Sequence, residues 1–195
     1  MDDIFTTLFC ITTGYLLGSV LGAVWVCRWF RLPDPAQSGS GNPGATNIYR
    51  IGGFLPAALT LTWDAAKGAL AIMLTQALTD QEMAPLLVVI ASVTGHIFPL
   101  FHRFQGGKGV ATAMGASLLI APQTTLVLIV IWAALIYWRR ISSLASLTAA
   151  TLAPWLAAAL NPDAVELFAT LALFLFIRHR ENIIRLIHKR ERPLE

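Results

Sequence analysis

Charged side chains are scarce in this sequence. Asp, Glu, Lys and Arg make up 13% of its 195 residues, while 56% are hydrophobic. A soluble domain carries roughly 25% charged residues, so the chain has too little polar surface to cover a water-exposed globule. Lipid is the alternative solvent, and about 20 consecutive apolar residues cross it as a helix. Several such runs occur, and the mean hydropathy is +0.65. The expected fold is all-α: a polytopic membrane bundle forming a single domain over residues 1–195.

Cysteine is almost absent as well. Cys10 and Cys27 are the only two. On one helix they stand about 25 Å apart at 1.5 Å per residue, too far to bridge, so they read as small apolar core residues. No Lys or Arg precedes the first apolar run, which instead follows Asp2 and Asp3 and is too long for a cleavable signal. It reads as a first span. No basic helix or aromatic platform stands clear of the apolar runs, so nucleic acid is not an expected partner. No metal-ligand cluster appears, and neither a metal nor a cofactor is expected. The pI near 9.2 suits an anionic membrane surface or an anionic substrate.

The charges that are present set the topology. The first span runs from about Ile4 to Cys27, the second from Ile51 to Leu78 and the third from Ala84 to Phe101. Arg28, Arg31 and Arg50 flank the first loop, and His102, Arg103 and Lys108 lie in the third. The turn Thr79-Asp80-Gln81-Glu82 is acidic. Cytoplasmic loops carry the excess of Lys and Arg, so the N-terminus is expected in the periplasm. Residues 110–138 then pose a choice. As one long span they would place Arg139-Arg140 and the basic tail outside. As two short helices broken at Pro122-Gln123 they return both clusters to the cytoplasm, and proline disfavours helix at the residue before it. The two-helix reading gives about seven spans. The sixth lies near Ser142 to Leu160, the seventh near Ala164 to Ile177, and the C-terminus is cytoplasmic.

Three polar segments then face one compartment. Ser38-Gly39-Ser40-Gly41-Asn42-Pro43-Gly44-Ala45-Thr46-Asn47, followed by Arg50, combines small residues with amides, hydroxyls and a fixed charge. Small residues let backbone N–H groups approach an anion, and Arg suits phosphate. Gly95-His96-Ile97-Phe98-Pro99, then Gln105-Gly106-Gly107-Lys108-Gly109-Val110-Ala111-Thr112, places glycines at a helix entry. There free N–H groups and the macrodipole attract anions. It shares the logic of a phosphate cradle but lacks the Walker A spacing. Arg178-His179-Arg180-Glu181-Asn182 closes the last span, with His179 and Asn182 on one helix face. Within the second span, Asp64 and Lys67 form an i,i+3 pair. They either neutralise each other or line a pocket, because charges inside a membrane face an interior.

Together, SGSGNPGATN at 38–47, GHIFPLFHRFQGGKGVAT at 95–112 and RHREN at 178–182 resemble the bacterial acyl-phosphate:glycerol-3-phosphate acyltransferases, the PlsY family. The likeness extends over essentially the whole chain. Gln105 stands where the family commonly has Lys. The resemblance implies a multi-pass protein of the bacterial inner membrane whose active site faces the cytoplasm. It implies that the 1-hydroxyl of sn-glycerol 3-phosphate attacks a fatty acyl phosphate to give lysophosphatidate and inorganic phosphate. It assigns Ser40, Arg50, Lys108, His179 and Asn182 to glycerol 3-phosphate, with Asn42, Thr46 and Asn47 shaping the same floor. Gly106, Gly107, Gly109 and Thr112 fall to the acyl phosphate. Lys108, His96 and His179 are the catalytic candidates. The base stays open between His96, His179 and a substrate phosphate oxygen. An acyl phosphate is already activated, so positioning and charge stabilisation can carry most of the work. No H-x-x-x-x-D box follows any of the four histidines, which disfavours a coenzyme A-dependent enzyme of that type. A monomer in membrane lipid is expected. The alternative reading is a transporter of an organic phosphate.

Overall fold

The computed structural model describes residues 2–194. Residues 1 and 195, the outermost of the expected domain, lie outside the described residues. The secondary structure is helical, with no strand among the described residues. Among the described residues ten α-helices follow in order: α1 Asp2–Gly18, α2 Gly22–Phe30, α3 Ala45–Gly52, α4 Phe54–Leu78, α5 Ala84–Ile97, α6 Val110–Ile120, α7 Pro122–Arg139, α8 Ser142–Leu160, α9 Val165–Arg178 and α10 Arg180–Ile187. Five stretches of the described residues are long and apolar enough to cross a membrane: Asp3–Phe30, Phe54–Leu78, Ala84–His102, Pro122–Arg139 and Ser142–Leu160. Large apolar side chains point outward along them, among them Phe5, Val130 and Trp155. In water that arrangement would be costly; against lipid it is the favourable one. The chain is an integral, multi-pass membrane protein. Residues 1–119 and 120–195 form two compact units.

In the first unit, α1 packs against α5 and α4. Small residues make the approach possible. A Cβ at Gly18 would come within 2.0 Å of the Ser92 carbonyl oxygen, and one at Gly115 of α6 within 2.0 Å of the Ala65 carbonyl of α4. The first apolar run is not the single helix expected from Ile4 to Cys27. It opens between Ser19 and Leu21, and Ser19 Oγ bonds back to the Tyr15 carbonyl at 2.9 Å. The opening frees the Val20 carbonyl and the Gly22 N–H. Both find partners on α4: Lys67 Nζ donates to Val20 O at 2.9 Å, and Gly22 N donates to Asp64 Oδ1 at 3.2 Å. Backbone groups without water must be satisfied internally, so the broken helix and the intramembrane ion pair explain each other.

Two further boundaries differ from expectation. The first loop ends earlier, because α3 begins at Ala45 after the extended Gly44. The next span starts at Phe54 rather than Ile51, because Gly53, with φ +80°, interrupts the helix. That left-handed conformation is open to glycine at little cost.

In the second unit, α7 and α8 pack together and α9 packs on α8, around Ala121, Leu128, Ala153, Ala157, Ala164 and Phe168. The break expected at Pro122 is present: α6 stops at Ile120, and Pro122 opens α7. Asn161 caps the new helix. Its Oδ1 accepts from Thr124 N at 3.1 Å and from Thr124 Oγ1 at 2.8 Å, and its Nδ2 donates to Gln123 Oε1 at 2.7 Å. The start of α7 and the end of α8 therefore share one end of the unit. Arg139-Arg140 and the C-terminal basic segment share the other: Ser143 Oγ donates to Glu191 Oε1 at 2.7 Å, and Leu194 N to Arg140 O. Both basic segments thus stand at one end of the second unit, as the two-helix reading of residues 110–138 expects.

Candidate active site

The glycine-rich first loop is held by one side chain. Asn47 is 1% exposed. Its Oδ1 accepts from the Ser40 amide at 2.7 Å, and its Nδ2 donates to Pro35 O at 3.0 Å and Ser38 O at 2.9 Å. Its donors are thus committed to loop carbonyls, and Asn47 holds the shape of the first loop. Gly39 and Gly41 take φ of +64° and +71°, which turns the chain around it. Ser40 and Arg50 are exposed, and Asn42 and Thr46 half-buried.

The second segment leaves α5 at Ile97, makes a 3-10 turn at Leu100–His102, and turns back through Arg103 and Phe104, both left-handed at φ +52° and +60°. Its 3-10 turn is tied to the opened first helix by the Leu100 N–H, which donates to Ser19 Oγ at 3.2 Å. Gly106, Gly107 and Gly109 are buried and Lys108 is half-buried. α6 then begins at Val110. The amides of Val110, Ala111 and Thr112 have no intrahelical acceptor, as at any helix start. The Thr112 hydroxyl is fully buried and has no hydrogen-bond partner among the described residues. Burying an unsatisfied hydroxyl costs about 1–3 kcal/mol. A group retained at that cost beside a glycine-rich helix entry is suited to receive an anion. Thr112→Val should therefore raise thermal stability, by about 1 kcal/mol, while lowering turnover. Melting curves and initial rates measured on the same preparation check both signs.

Behind this loop lies a buried polar cluster. Asp64, Lys67 and His96 are 2%, 6% and 4% exposed. Lys67 Nζ lies 2.8 Å from Asp64 Oδ1 and 2.9 Å from His96 Nδ1, and Asp64 Oδ1 is 3.6 Å from the same ring nitrogen. The pair expected at i,i+3 is present, and His96 joins it. The loop grips His96 in turn: the Gly107 N–H donates to the His96 carbonyl at 3.1 Å.

The third segment belongs to the second unit. His179 is 2% and Asn182 5% exposed. His179 Nδ1 is 2.8 Å from the Leu175 carbonyl. A carbonyl only accepts, so Nδ1 carries a proton, and in the neutral ring the lone pair is on Nε2. Asn182 Nδ2 donates to Glu191 Oε1, which also receives the Ser143 hydroxyl, while Arg185 Nε bonds Glu191 Oε2 at 2.7 Å. Burial alone would raise the Glu191 carboxyl. The hydrogen bonds from Arg185, Ser143 and Asn182 outweigh it and hold the group below its ordinary value. Glu191 was not legible in the sequence, where it reads as one more charge in a basic tail.

A cleft of about 460 Å³ opens in the first unit, lined by Leu21, Val24, Leu32 and Phe101 together with Arg28, His102, Arg103 and Gln105. Cys27, Asp34, Pro35, Ala36 and Pro43 complete it, so the first and second polar segments meet at one end of the unit. In the sequence Arg28, His102 and Arg103 set the topology, and no site role falls to them individually. Among the described residues no group of three or more His, Cys, Asp or Glu side chains is arranged to hold a metal ion.

Comparison with known proteins is consistent throughout. The glycerol-3-phosphate acyltransferase family profile matches residues 8–189, across both units. A glycerol-3-phosphate acyltransferase of Hahella chejuensis is 57% identical, with all of both chains covered. One of Idiomarina loihiensis is 43% identical over 97% of this chain and 96% of its own. The crystal structure of PlsY (YgiH), an integral membrane glycerol 3-phosphate acyltransferase, in its glycerol 3-phosphate form has a TM-score of 0.88. It is 32% identical, with 97% of this chain and 96% of that one covered. Its lysophosphatidic acid form gives a TM-score of 0.85 at 32% identity, over 96% and 94%. The protein is an integral-membrane acyltransferase of lipid biosynthesis. More narrowly, the chain belongs to the glycerol-3-phosphate acyltransferase family, that of PlsY.

Proposed function

We propose that this acyltransferase transfers the acyl group of a fatty acyl phosphate to sn-glycerol 3-phosphate at the cytoplasmic face of the bacterial inner membrane. The 1-hydroxyl oxygen attacks the acyl carbonyl carbon. A new ester C–O bond forms, the bond from carbonyl carbon to phosphate oxygen breaks, and inorganic phosphate leaves. Lysophosphatidate is the product. The observation that carries this reading is the entry to α6, where the buried glycines of the 106–109 loop lead into first-turn amides without intrahelical acceptors and a buried Thr112 hydroxyl without a hydrogen-bond partner among the described residues. The solved relatives support the substrate and product, being glycerol 3-phosphate and lysophosphatidic acid forms.

Gly106, Gly107, Gly109 and Thr112 hold the donor's phosphate. Ser40, Arg50, Lys108, His179 and Asn182 serve glycerol 3-phosphate, and Asn42, Thr46 and Asn47 shape the first loop. The hydroxyl proton passes to His179 Nε2 or to a substrate phosphate oxygen. Of the candidate histidines, His179 bears its lone pair on Nε2, the nitrogen that is not tied to its own helix. Seven helical segments cross the membrane as one domain, with α6 and α9 the short ones. The N-terminus is periplasmic and the protein acts as a monomer.

The test is purified protein in lipid with labelled glycerol 3-phosphate and either a long-chain acyl phosphate or the matching acyl-coenzyme A. Lysophosphatidate from the acyl phosphate, with stoichiometric inorganic phosphate, is the expected result. Product from the thioester alone would overturn the donor assignment.

A further inference from the structure

The Asp64–Lys67–His96 cluster has a proton arrangement that can be counted. An ammonium has three donors and no acceptor. Around Lys67 Nζ stand three acceptors at hydrogen-bond distance: Asp64 Oδ1 at 2.8 Å, Val20 O at 2.9 Å and His96 Nδ1 at 2.9 Å. Each ammonium proton has one partner, so His96 Nδ1 must accept. A neutral imidazole that accepts at Nδ1 carries its proton at Nε2. That edge of the ring is turned to the glycine loop, for a Cβ built on Gly107 would lie 2.1 Å from Nε2. His179 is wired the other way round, with Nδ1 the donor.

We propose that Lys67, neutralised by Asp64, is a positioning residue that locks His96 as an Nε2–H donor against the Gly106–Lys108 loop and so sets that loop's shape for the donor phosphate. His96 is then a fixed donor and not a base, since its one lone pair is consumed by Lys67. This rests on the reading that the loop receives the phosphoryl group of the acyl donor. Asp64 keeps the cation from standing alone in a buried site, and its Oδ1 also receives the Gly22 amide. The opened segment at residues 19–21 supplies the third acceptor. One cluster thus ties the broken first helix to the anion-binding loop.

The decisive measurement is the ¹⁵N spectrum of histidine-labelled wild-type protein in nanodiscs, with His96 assigned by its loss in His96→Gln. Nδ1 should resonate as an unprotonated acceptor and Nε2 as a protonated nitrogen, unchanged between about pH 6 and 8. A protonated Nδ1 would overturn the proposal whatever the enzyme's donor substrate. In Lys67→Met the signature should become a mixture of tautomers or begin to titrate. Kinetics give the second arm. Gln places an amide N–H₂ near the Nε2 position, whereas Asn places it near Nδ1. His96→Gln should therefore keep most of the affinity for acyl phosphate, while His96→Asn and Lys67→Met raise KM for it by about 10- to 100-fold with a smaller change in kcat. Equal falls in kcat for all three, with KM unchanged, would mean that the cluster only holds the fold, and would sink the positioning role. If acyl phosphate is not the donor, wild-type protein shows no turnover with it while the ¹⁵N signature stands, so the two failures are separable.

Discussion

Asp64→Ala should cost about 3–5 kcal/mol of stability, because it leaves the buried Lys67 ammonium without its counter-ion. Asp64 accepts from Lys67 Nζ at 2.8 Å and from the Gly22 amide at 3.2 Å, so the substitution removes a charge partner and a helix-break partner together. Removing both charges is a different matter. Asp64→Leu with Lys67→Met leaves no uncompensated ion, and replacement of a buried pair by apolar groups is often close to neutral. What loses its partner is the Gly22 N–H, the Val20 carbonyl and His96 Nδ1, neutral groups whose orphaning costs less than that of a buried charge. The double variant should therefore melt well above Asp64→Ala in detergent, yet below wild type. Its activity should not recover in step, because Lys67 no longer orients His96. A double variant as unstable as the single one would show that the pair matters for hydrogen bonding alone. Recovery of full activity along with stability would remove the link to the loop.

Why this cluster was only half legible in the sequence is a matter of range. Asp64 and Lys67 are one helical turn apart, so their pairing follows from the period of the helix. His96 is 29 residues from Lys67, and Val20 is 47. No local pattern announces that either reaches the pair. The break at residues 19–21 was equally silent, since no proline marks it and the apolar run reads straight through. Its cause lies on another helix, in the groups that satisfy the freed backbone. Pro122, by contrast, carries its effect in its own ring. The break before α7 was legible because a backbone restriction travels with the residue. The polar segments were legible as compositions, since glycine beside amides, hydroxyls and a cation is rare in an apolar chain. Their internal division of labour was not. Asn42 and Asn47 look alike in sequence, but only the second is buried with its donors given to Pro35 and Ser38. Glu191 escaped notice because its partners Ser143, Asn182 and Arg185 gather only once the tail has folded back.

Gly107→Ala should lower kcat/KM by about 10²- to 10³-fold. The added Cβ would sit 2.1 Å from His96 Nε2 and about 3 Å from the neighbouring ring carbons. The ring cannot swing aside cheaply, for Nδ1 is held by Lys67 and the His96 carbonyl receives the Gly107 amide itself. The loop must move instead. A displacement of about 1 Å in a group that positions substrate is enough for a 10²-fold loss, and removal of a preorganised donor costs up to about 10³-fold. The fold should suffer less, by about 1–3 kcal/mol, the usual cost of overpacking. The contact with His96 can be isolated by a double-mutant cycle. If the clash is what disables the loop, Gly107→Ala adds little to a His96→Ala background, because the obstructing ring is gone. Residues in contact are expected to be non-additive in this way. Additive losses would instead mean that the glycine acts through its own backbone, with the ring a bystander. Initial rates against acyl phosphate for the four proteins decide between the two.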